Sequence, residues 1–439
     1  MKNTVFSVCT VFAAAAFAAG TPRVTGVSLS CDAETGLVKI GYTLADAPGV
    51  VTFDVQTNVA GDVWASVGGK ALAGAWGDVN AYVEGVDAEH EIFWQPQVSC
   101  PGFDVSERSF RAVVTAWPEE APPDYMVIDL NCTTPSGASL LSGHSFYPNA
   151  DQIPGGVTSR EYKTDKLVMR KIPVSPTLKW AMGRTSTLHY VTLTNNFYMG
   201  VFEVTYSQWE NLCKGMPYLA VLSVYTNFAD VAVLPVGGIS YTEVRGSSSG
   251  AKWGTSDVAH WRDVDQSYTK GGVEVPTPIY RLRQRTGILF DLPTEAQWEY
   301  ACRAGVPQDF NNGGSTQADC EEVGWISSNS ETSTIYGIVG KYPHPVGLKK
   351  PNNWGLYDMH GNVSEICLDF WVENADIGTS EAVEPAGGTS GSNRDGRGGS
   401  CGSAYSTSTA AYRSKQSTTG HNVAIGFRVV CPYPLNLKW

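Results

Sequence analysis

The feature that most narrows the fold is the interleaving of glycine with aromatic residues toward the C-terminus. It recurs in Asn353-Trp354-Gly355-Leu356-Tyr357 and Gly426-Phe427-Arg428, and the glycine pair of Arg397-Gly398-Gly399-Ser400 lies between them. Glycines at 355, 361, 398, 399 and 426 mark places where backbone turns or approaches another segment closely, and the aromatics between them supply a core that short strands alone cannot. Beyond Gly305 little suggests a long helix. A segment built this way folds as short strands joined by loops, and 46 Gly, 20 Tyr and 13 Trp against only 17% charged residues fit that class better than a helical bundle.

The remainder of the chain divides by pattern. With 439 residues, two folded domains are expected. Residues 1–20 carry Lys2, an apolar run from Val5 to Phe17 and small residues at Ala16-Phe17-Ala18, the layout of an export signal; the run is shorter than the about 20 residues a membrane helix needs. No later stretch is long and apolar enough to span a membrane, so the protein is expected outside the cytoplasm: extracellular, on the cell surface or periplasmic. Residues 21–118 alternate apolar and polar positions between turn-formers, as in Leu37-Val38-Lys39-Ile40-Gly41-Tyr42, and read as a small antiparallel β-sandwich. Residues 119–177 read as a linker and lead-in: Pro118-Glu119-Glu120-Ala121-Pro122-Pro123 favours extended backbone, Asp124–Leu130 resumes a strand pattern, and 131–176 is polar and punctuated by Gly and Pro. The second domain runs over 178–436.

The formal net charge of −12, without a Lys/Arg cluster, leaves no footprint for a nucleic-acid partner. Nine of the ten cysteines lie beyond the signal; export permits disulfides, and Cys31 and Cys100 fall near strand ends in the sandwich, but an odd number leaves at least one thiol unpaired or paired between chains. No CxxC or HxxxH spacing points to zinc.

Three helix starts are legible from chemistry. Thr205-Tyr206-Ser207-Gln208, Ser240-Tyr241-Thr242-Glu243 and Thr294-Glu295-Ala296-Gln297 match the capping box, in which the first hydroxyl and the fourth side chain satisfy each other's backbone donors. The third helix places Trp298, Ala301 and Cys302 on one face, toward a core. The second should break at Gly246, residues from Ala251 to Val275 read as a surface insertion, and Pro278–Gly287 reads as a further short helix.

Taken in order, seven phrases carry a family resemblance: Phe197-Tyr198-Met199-Gly200 with Glu203-Val204-Thr205; Pro235-Val236 with Ile239-Ser240-Tyr241; Asp291 through Ala301; His344-Pro345-Val346-Gly347; Asn353 through Val363; Arg397-Gly398-Gly399-Ser400; and Gly426-Phe427-Arg428-Val429-Val430. The segment from about Asn196 to Cys431 resembles the formylglycine-generating-enzyme (sulfatase-modifying-factor) domain. The resemblance implies an α+β, loop-rich, C-type lectin-like fold, here preceded by the all-β sandwich.

Members of that family that form formylglycine oxidise a sulfatase cysteine with two copper(I)-binding cysteines, three and eight residues after the serine of the Gly-Gly-Ser phrase. In this chain those positions are Ser403 and Ser408. A hydroxyl is hard and stays protonated at neutral pH, so it does not replace a soft thiolate, and copper is not expected. A related branch that assists iron-dependent sulfur–carbon bond formation needs a histidine-bearing helical domain, which the N-terminal region lacks. No nucleophile-elbow phrase supports a serine hydrolase. The resemblance also implies a structural calcium ion held by Asp358, the carbonyls of Gly361 and Val363, and Glu365, although Ser364 and Ile366 replace the usual tryptophans. The remaining expectation is a non-catalytic binding or adhesion scaffold for a glycan, peptide or surface protein. The Ser/Thr/Tyr/Gly-rich loop 402–419 would present the ligand, with Tyr405, Tyr412 and Arg413 as candidate contacts and a structural ion pair as the other reading of Arg413. The alternative function is an oxidase or protein-maturation enzyme using other residues.

Overall fold

Period-two alternation in the N-terminal part becomes two facing antiparallel sheets. In the strand Val38–Ala45 the side chains of Val38, Ile40, Tyr42 and Leu44 are buried while their neighbours are not, as a half-covered strand requires. The computed structural model describes residues 20–102, 110–133, 138–184, 187–214, 230–246, 267–270, 272–335, 338–374, 380–385, 390–433 and 435, and divides into two units. The export signal lies, up to residue 19, outside the described residues.

The first unit holds 20–128 and the later stretch to Ser159. One sheet runs Arg23–Cys31, Val38–Ala45, Glu89–Trp94 and Ala75–Gly77; the other is built on Gly49–Ala60, which pairs with Phe110–Trp117 from Val50↔Trp117 to Thr57↔Phe110. Ile40, Leu44, Phe53, Ile92, Trp94 and Val114 share the core between them, so the expected β-sandwich is present. Trp94 sits edge-on to Phe110 and donates its indole N–H to Ser99 Oγ at 3.0 Å, which lets a large amphipathic ring be buried. Cys31 and Cys100 are half-buried beside this core as free thiols, so the cross-link is not formed.

The proline-rich stretch differs from expectation. Pro122 and Pro123 are buried, since a proline ring is apolar and leaves no N–H to satisfy. The polar segment 131–176 likewise contains two strands, His144–Tyr147, paired with Tyr125–Asp129, and Lys166–Ile172. Their polar residues mask a pattern that tertiary pairing completes.

The second unit is mixed α and β. Lys166–Ile172, Phe197–Gly200 and Val430–Pro432 form antiparallel neighbours, bringing chain segments far apart in sequence side by side. A second sheet in the order Arg413–Ser417, Asn393–Arg397, Ser364–Phe370 and Ile425–Gly426 carries the candidate site. All three expected capping boxes are formed, and the helices they open run Tyr206–Cys213, Tyr241–Arg245 and Glu295–Arg303. Pro278–Thr286 is the fourth expected helix, ended by Gly287 at φ 70°. Trp298, Ala301 and Cys302 are fully buried against Leu289, Met359 and Val430. A fifth helix, Gln317–Val323, was not anticipated: its capping box pairs Thr316 with Asp319 instead of Glu or Gln. Of the expected insertion, residues 251–266 lie outside the described residues, and Ser267–Lys270 with Val273–Pro276 form a hairpin.

Candidate functional site

The strand Asn393–Arg397 ends in two glycines with left-handed backbone, Gly398 at φ 84° and Gly399 at φ 71°. A Cβ on Gly399 would stand 2.4 Å from Ser408 Oγ and 2.7 Å from the Thr407 carbonyl, so its conformation and its neighbours both demand glycine. The loop that follows folds back onto this corner and carries both family cysteine positions.

Neither serine is poised as a reagent. The Ser403 hydroxyl oxygen accepts the Ser400 N–H at 3.0 Å and lies 3.1 Å from Ser400 Oγ, while the Ser403 N–H donates to the Ser400 carbonyl at 2.9 Å. Ser408 is fully buried and donates its hydroxyl to the Ala404 carbonyl at 3.1 Å. Its own carbonyl accepts from His360 Nδ1 at 2.8 Å. The other ring nitrogen accepts from the Asn311 N–H, and burial holds the imidazole down at about 4, so His360 is a neutral structural donor. The cysteine next to this corner, Cys401, is fully buried, and burial together with the charge of Glu203 pushes its thiol up to about 12. At neutral pH it is held as the neutral thiol.

Beside Ser403 opens a groove of about 180 Å³. Ser364, Ser400, Ser403, Tyr412, Ser414 and Gln416 line it over a floor of Ala424 and Ile425, and among the described residues neither a charged side chain nor a cysteine contributes. Gln416 donates from Nε2 to Ser414 Oγ at 2.9 Å, and the polar wall consists of neutral hydroxyls and an amide. Such a wall exchanges hydrogen bonds; it supplies no thiolate, cation or free carboxylate.

The three candidate ligand contacts separate. Tyr412 lines the groove. Tyr405 is 38% exposed on the short turn Tyr405–Thr407 and stands outside the groove lining. The Arg413 side chain is only 5% exposed and is committed: it pairs with Glu295, donates to Asp395 Oδ1 at 2.7 Å, and reaches the Val372 carbonyl and Asn374 Oδ1 at 2.9 Å each. These contacts are the structural ion pair that was the other reading of Arg413.

The residues implied for calcium fall on a tight turn, with Asp358, Gly361 and Asn362 all at positive φ. Asp358 is buried; one oxygen accepts the Gly347 N–H at 2.6 Å, and the other has no partner among the described residues. Burial lifts its carboxyl to about 6, so an unpaired acceptor of this kind suits a hard cation. Glu365 suits one less well, because Arg428 Nη2 and Trp298 Nε1 both reach it at 2.8 Å. Glu203, given no role from sequence, binds this turn: it accepts from Asn362 Nδ2 at 2.7 Å and from the Val363 N–H at 3.1 Å. Burial, with Asp358 and Glu365 nearby, pushes its carboxyl well up. The only signal was its place in the Glu203-Val204-Thr205 phrase.

Comparison with known proteins bears on the same segment. A family model described as the Sulfatase-modifying factor enzyme 1-like domain matches residues 148–432, starting inside the stretch read as a lead-in. The mouse formylglycine-generating enzyme is 26% identical over 254 residues, which cover 53% of this chain and 65% of the mouse protein. A Paenibacillus barcinonensis protein named chaperone protein LppX is 28% identical over 194 residues, covering 41% of this chain and 64% of that one. The chain therefore spans a little under two thirds of the length of these relatives. Among solved structures, Treponema denticola variable protein 1 is similar at a TM-score of 0.44 and 24% identity, over 61% of this chain and 95% of that one. With the family match spanning more than half of its length, the chain belongs to the Sulfatase-modifying factor enzyme 1-like domain family.

Proposed function

We propose that this protein is an exported family member without formylglycine-generating activity that serves as a binding or adhesion scaffold, using the groove beside Ser403 as its recognition surface. One observation carries the reading: the position of the first family cysteine is a serine in a groove lined by neutral hydrogen-bonding groups. Such a wall matches the hydroxyls of a glycan or the amides of a peptide, and at about 180 Å³ it holds one residue or ring of a larger ligand. The names of these relatives include both an enzyme and a chaperone, so family membership does not by itself bring chemistry.

The test has two arms. Copper(I)-loaded protein incubated with a cysteine-containing sulfatase peptide should give no aldehyde by mass spectrometry; aldehyde formation would overturn the proposal in favour of an oxidase. Glycan-array and surface-protein binding should weaken about tenfold or more in Tyr412→Ala, the loss of a hydrogen-bonded aromatic contact, with the melt unchanged. A structural calcium ion at Asp358 and the carbonyls of Gly361 and Val363, with Glu365 balancing charge beside Arg428, belongs to the same proposal. Chelation should then lower the melting temperature and added calcium restore it by mass action. An unchanged melt would leave Asp358 as a turn former.

A further inference from the structure

A larger opening lies elsewhere in the second unit and shares no lining residue with the groove beside Ser403. Its volume is about 380 Å³, within the range of small-molecule sites. Met182, Ala296, Val372, Ala382 and Pro385 give it apolar walls, and Glu295, Glu299, Asp369 and Arg413 bring charge to it.

The charged groups are not equally spent. Arg413 has committed its guanidinium to Glu295, Asp395, the Val372 carbonyl and Asn374. Glu299 accepts from the Gly183 N–H and from Arg303 with one oxygen, and from Arg397 with the other. Glu295 is engaged through one oxygen, by Arg413 and at 3.7 Å by Arg397. Asp369 is the more deeply buried carboxyl with an oxygen to spare. It is 2% exposed, one oxygen accepts the Glu295 N–H at 2.7 Å, and its second oxygen takes no hydrogen bond from any described residue. Burial and then the neighbouring Glu295 charge hold its carboxyl up at about 7, against the opposing pull of Arg413 and Arg394. The nearby guanidinium groups therefore leave this carboxyl short of positive charge. The cavity presents an unclaimed acceptor and an unsatisfied negative site, while four of the five Arg413 N–H groups are already spent on protein acceptors.

We propose that this cavity is a second binding site, for a primary ammonium group on a short apolar chain. The ammonium donates to the free oxygen of Asp369, and the methylene chain lies along Met182, Ala296 and Ala382. A carboxylate or phosphate is disfavoured, because it would meet Asp369 and Glu295, and among the described lining residues the counter-charge comes down to the paired Arg413 guanidinium and His189, whose Nδ1 is already bonded to the Thr187 carbonyl. The same chemistry comes from two sources, a free aliphatic amine or a lysine side chain of a partner protein. This inference does not depend on the groove or on the absence of formylglycine chemistry.

Titration calorimetry of the full chain at about pH 8, where an aliphatic amine is still cationic, compares n-pentylamine with 1-pentanol and pentanoate. The expected result is binding of the amine about tenfold or more tighter than that of the alcohol, the scale of a hydrogen bond to a charged group, and none of the carboxylate. Asp369→Asn should remove that preference while far-UV circular dichroism and the melt show a folded protein. Should Asp369→Asn not fold, Ala382→Leu narrows the cavity without touching the carboxyl and should weaken pentylamine by a similar factor. Nα-acetyl-lysine methylamide binding more tightly than pentylamine points to a protein lysine, the reverse order to a free amine. Equal binding of amine and alcohol, or an amine affinity unmoved by either substitution, overturns the proposal.

Discussion

Arg428 is bound on every side. It is fully buried, pairs with both oxygens of Glu365 and donates to the carbonyls of Gly200, Val201 and Tyr357 at 2.8 Å each. Removing it strands the Glu365 carboxylate in a dry interior, so Arg428→Met is expected to cost about 3–5 kcal/mol of unfolding free energy by urea titration. Arg428→Lys should recover little, since a point charge cannot reproduce five directed donors. The thiols give a second residue-scale expectation. Cys132 is exposed, Cys31 and Cys100 are half-buried, and Cys213, Cys302, Cys320, Cys367, Cys401 and Cys431 are buried as free thiols. Ellman's reagent on the native protein should therefore titrate one thiol fast and two slowly, with the rest appearing only on unfolding. Immediate release of all of them would contradict the packing. At this scale the sequence was informative where residue type alone identifies a position, as at Ser403 and Ser408, which the structure sets in local hydrogen bonds. It was silent on Arg413, whose partners Glu295 and Asp395 come from other elements and are invisible to local pattern.

Helix starts were the most legible elements, because a capping box is written within four residues. Thr294 is buried and its hydroxyl accepts the Gln297 N–H at 3.0 Å while Gln297 returns a bond to the Thr294 N–H. Thr294→Ala should cost about 1–2 kcal/mol, more than at an exposed cap, because the freed donors have no water to turn to. Thr316→Ala should cost less, since its box with Asp319 stands at the surface. Urea midpoints of the two variants would separate these cases, and equal losses would deny the role of burial. The corner at Gly399 is legible for a different reason: a left-handed φ of 71° and a contact with Ser408 leave no room for a side chain. Strands were less legible. Lys166–Ile172 carries Lys166, Arg170 and Lys171 and owes its register to Phe197–Gly200, a partner that no local window contains. The groove and the larger cavity were illegible for the same reason, since their walls are assembled from separate elements of the second unit.

At the scale of the molecule, buried imidazoles and buried carboxyls set opposing limbs of stability against pH, and His144 and Asp369, one in each unit, represent the two signs. His144, in the first unit, is held down at about 4 by burial. Its unfolded value is higher, near about 6.5, so the unfolded chain binds the extra proton and stability is lost as pH falls from about 6.5 through about 4. The difference amounts to roughly 3 kcal/mol at the acid end. Asp369, in the second unit, has the opposite sign. Its folded value of about 7 lies above the unfolded one of about 4, so the folded state holds the proton. Its contribution is complete below about pH 4 and is lost as pH rises through about 7. Urea midpoints measured from acid to mildly alkaline conditions should resolve the two limbs by substitution. In His144→Leu the acid loss should shrink while the decline toward neutral pH persists. In Asp369→Asn the decline toward neutral pH should shrink, the raised carboxyls of Asp358 and Glu203 keeping the rest of it, and the acid loss should remain. Pentylamine gives the further check: a cation seated beside Asp369 favours the ionised carboxylate, so saturating amine should stabilise the wild type most above about pH 7 and leave Asp369→Asn unchanged. Stabilisation equal at acid and alkaline pH would separate the amine from that carboxyl.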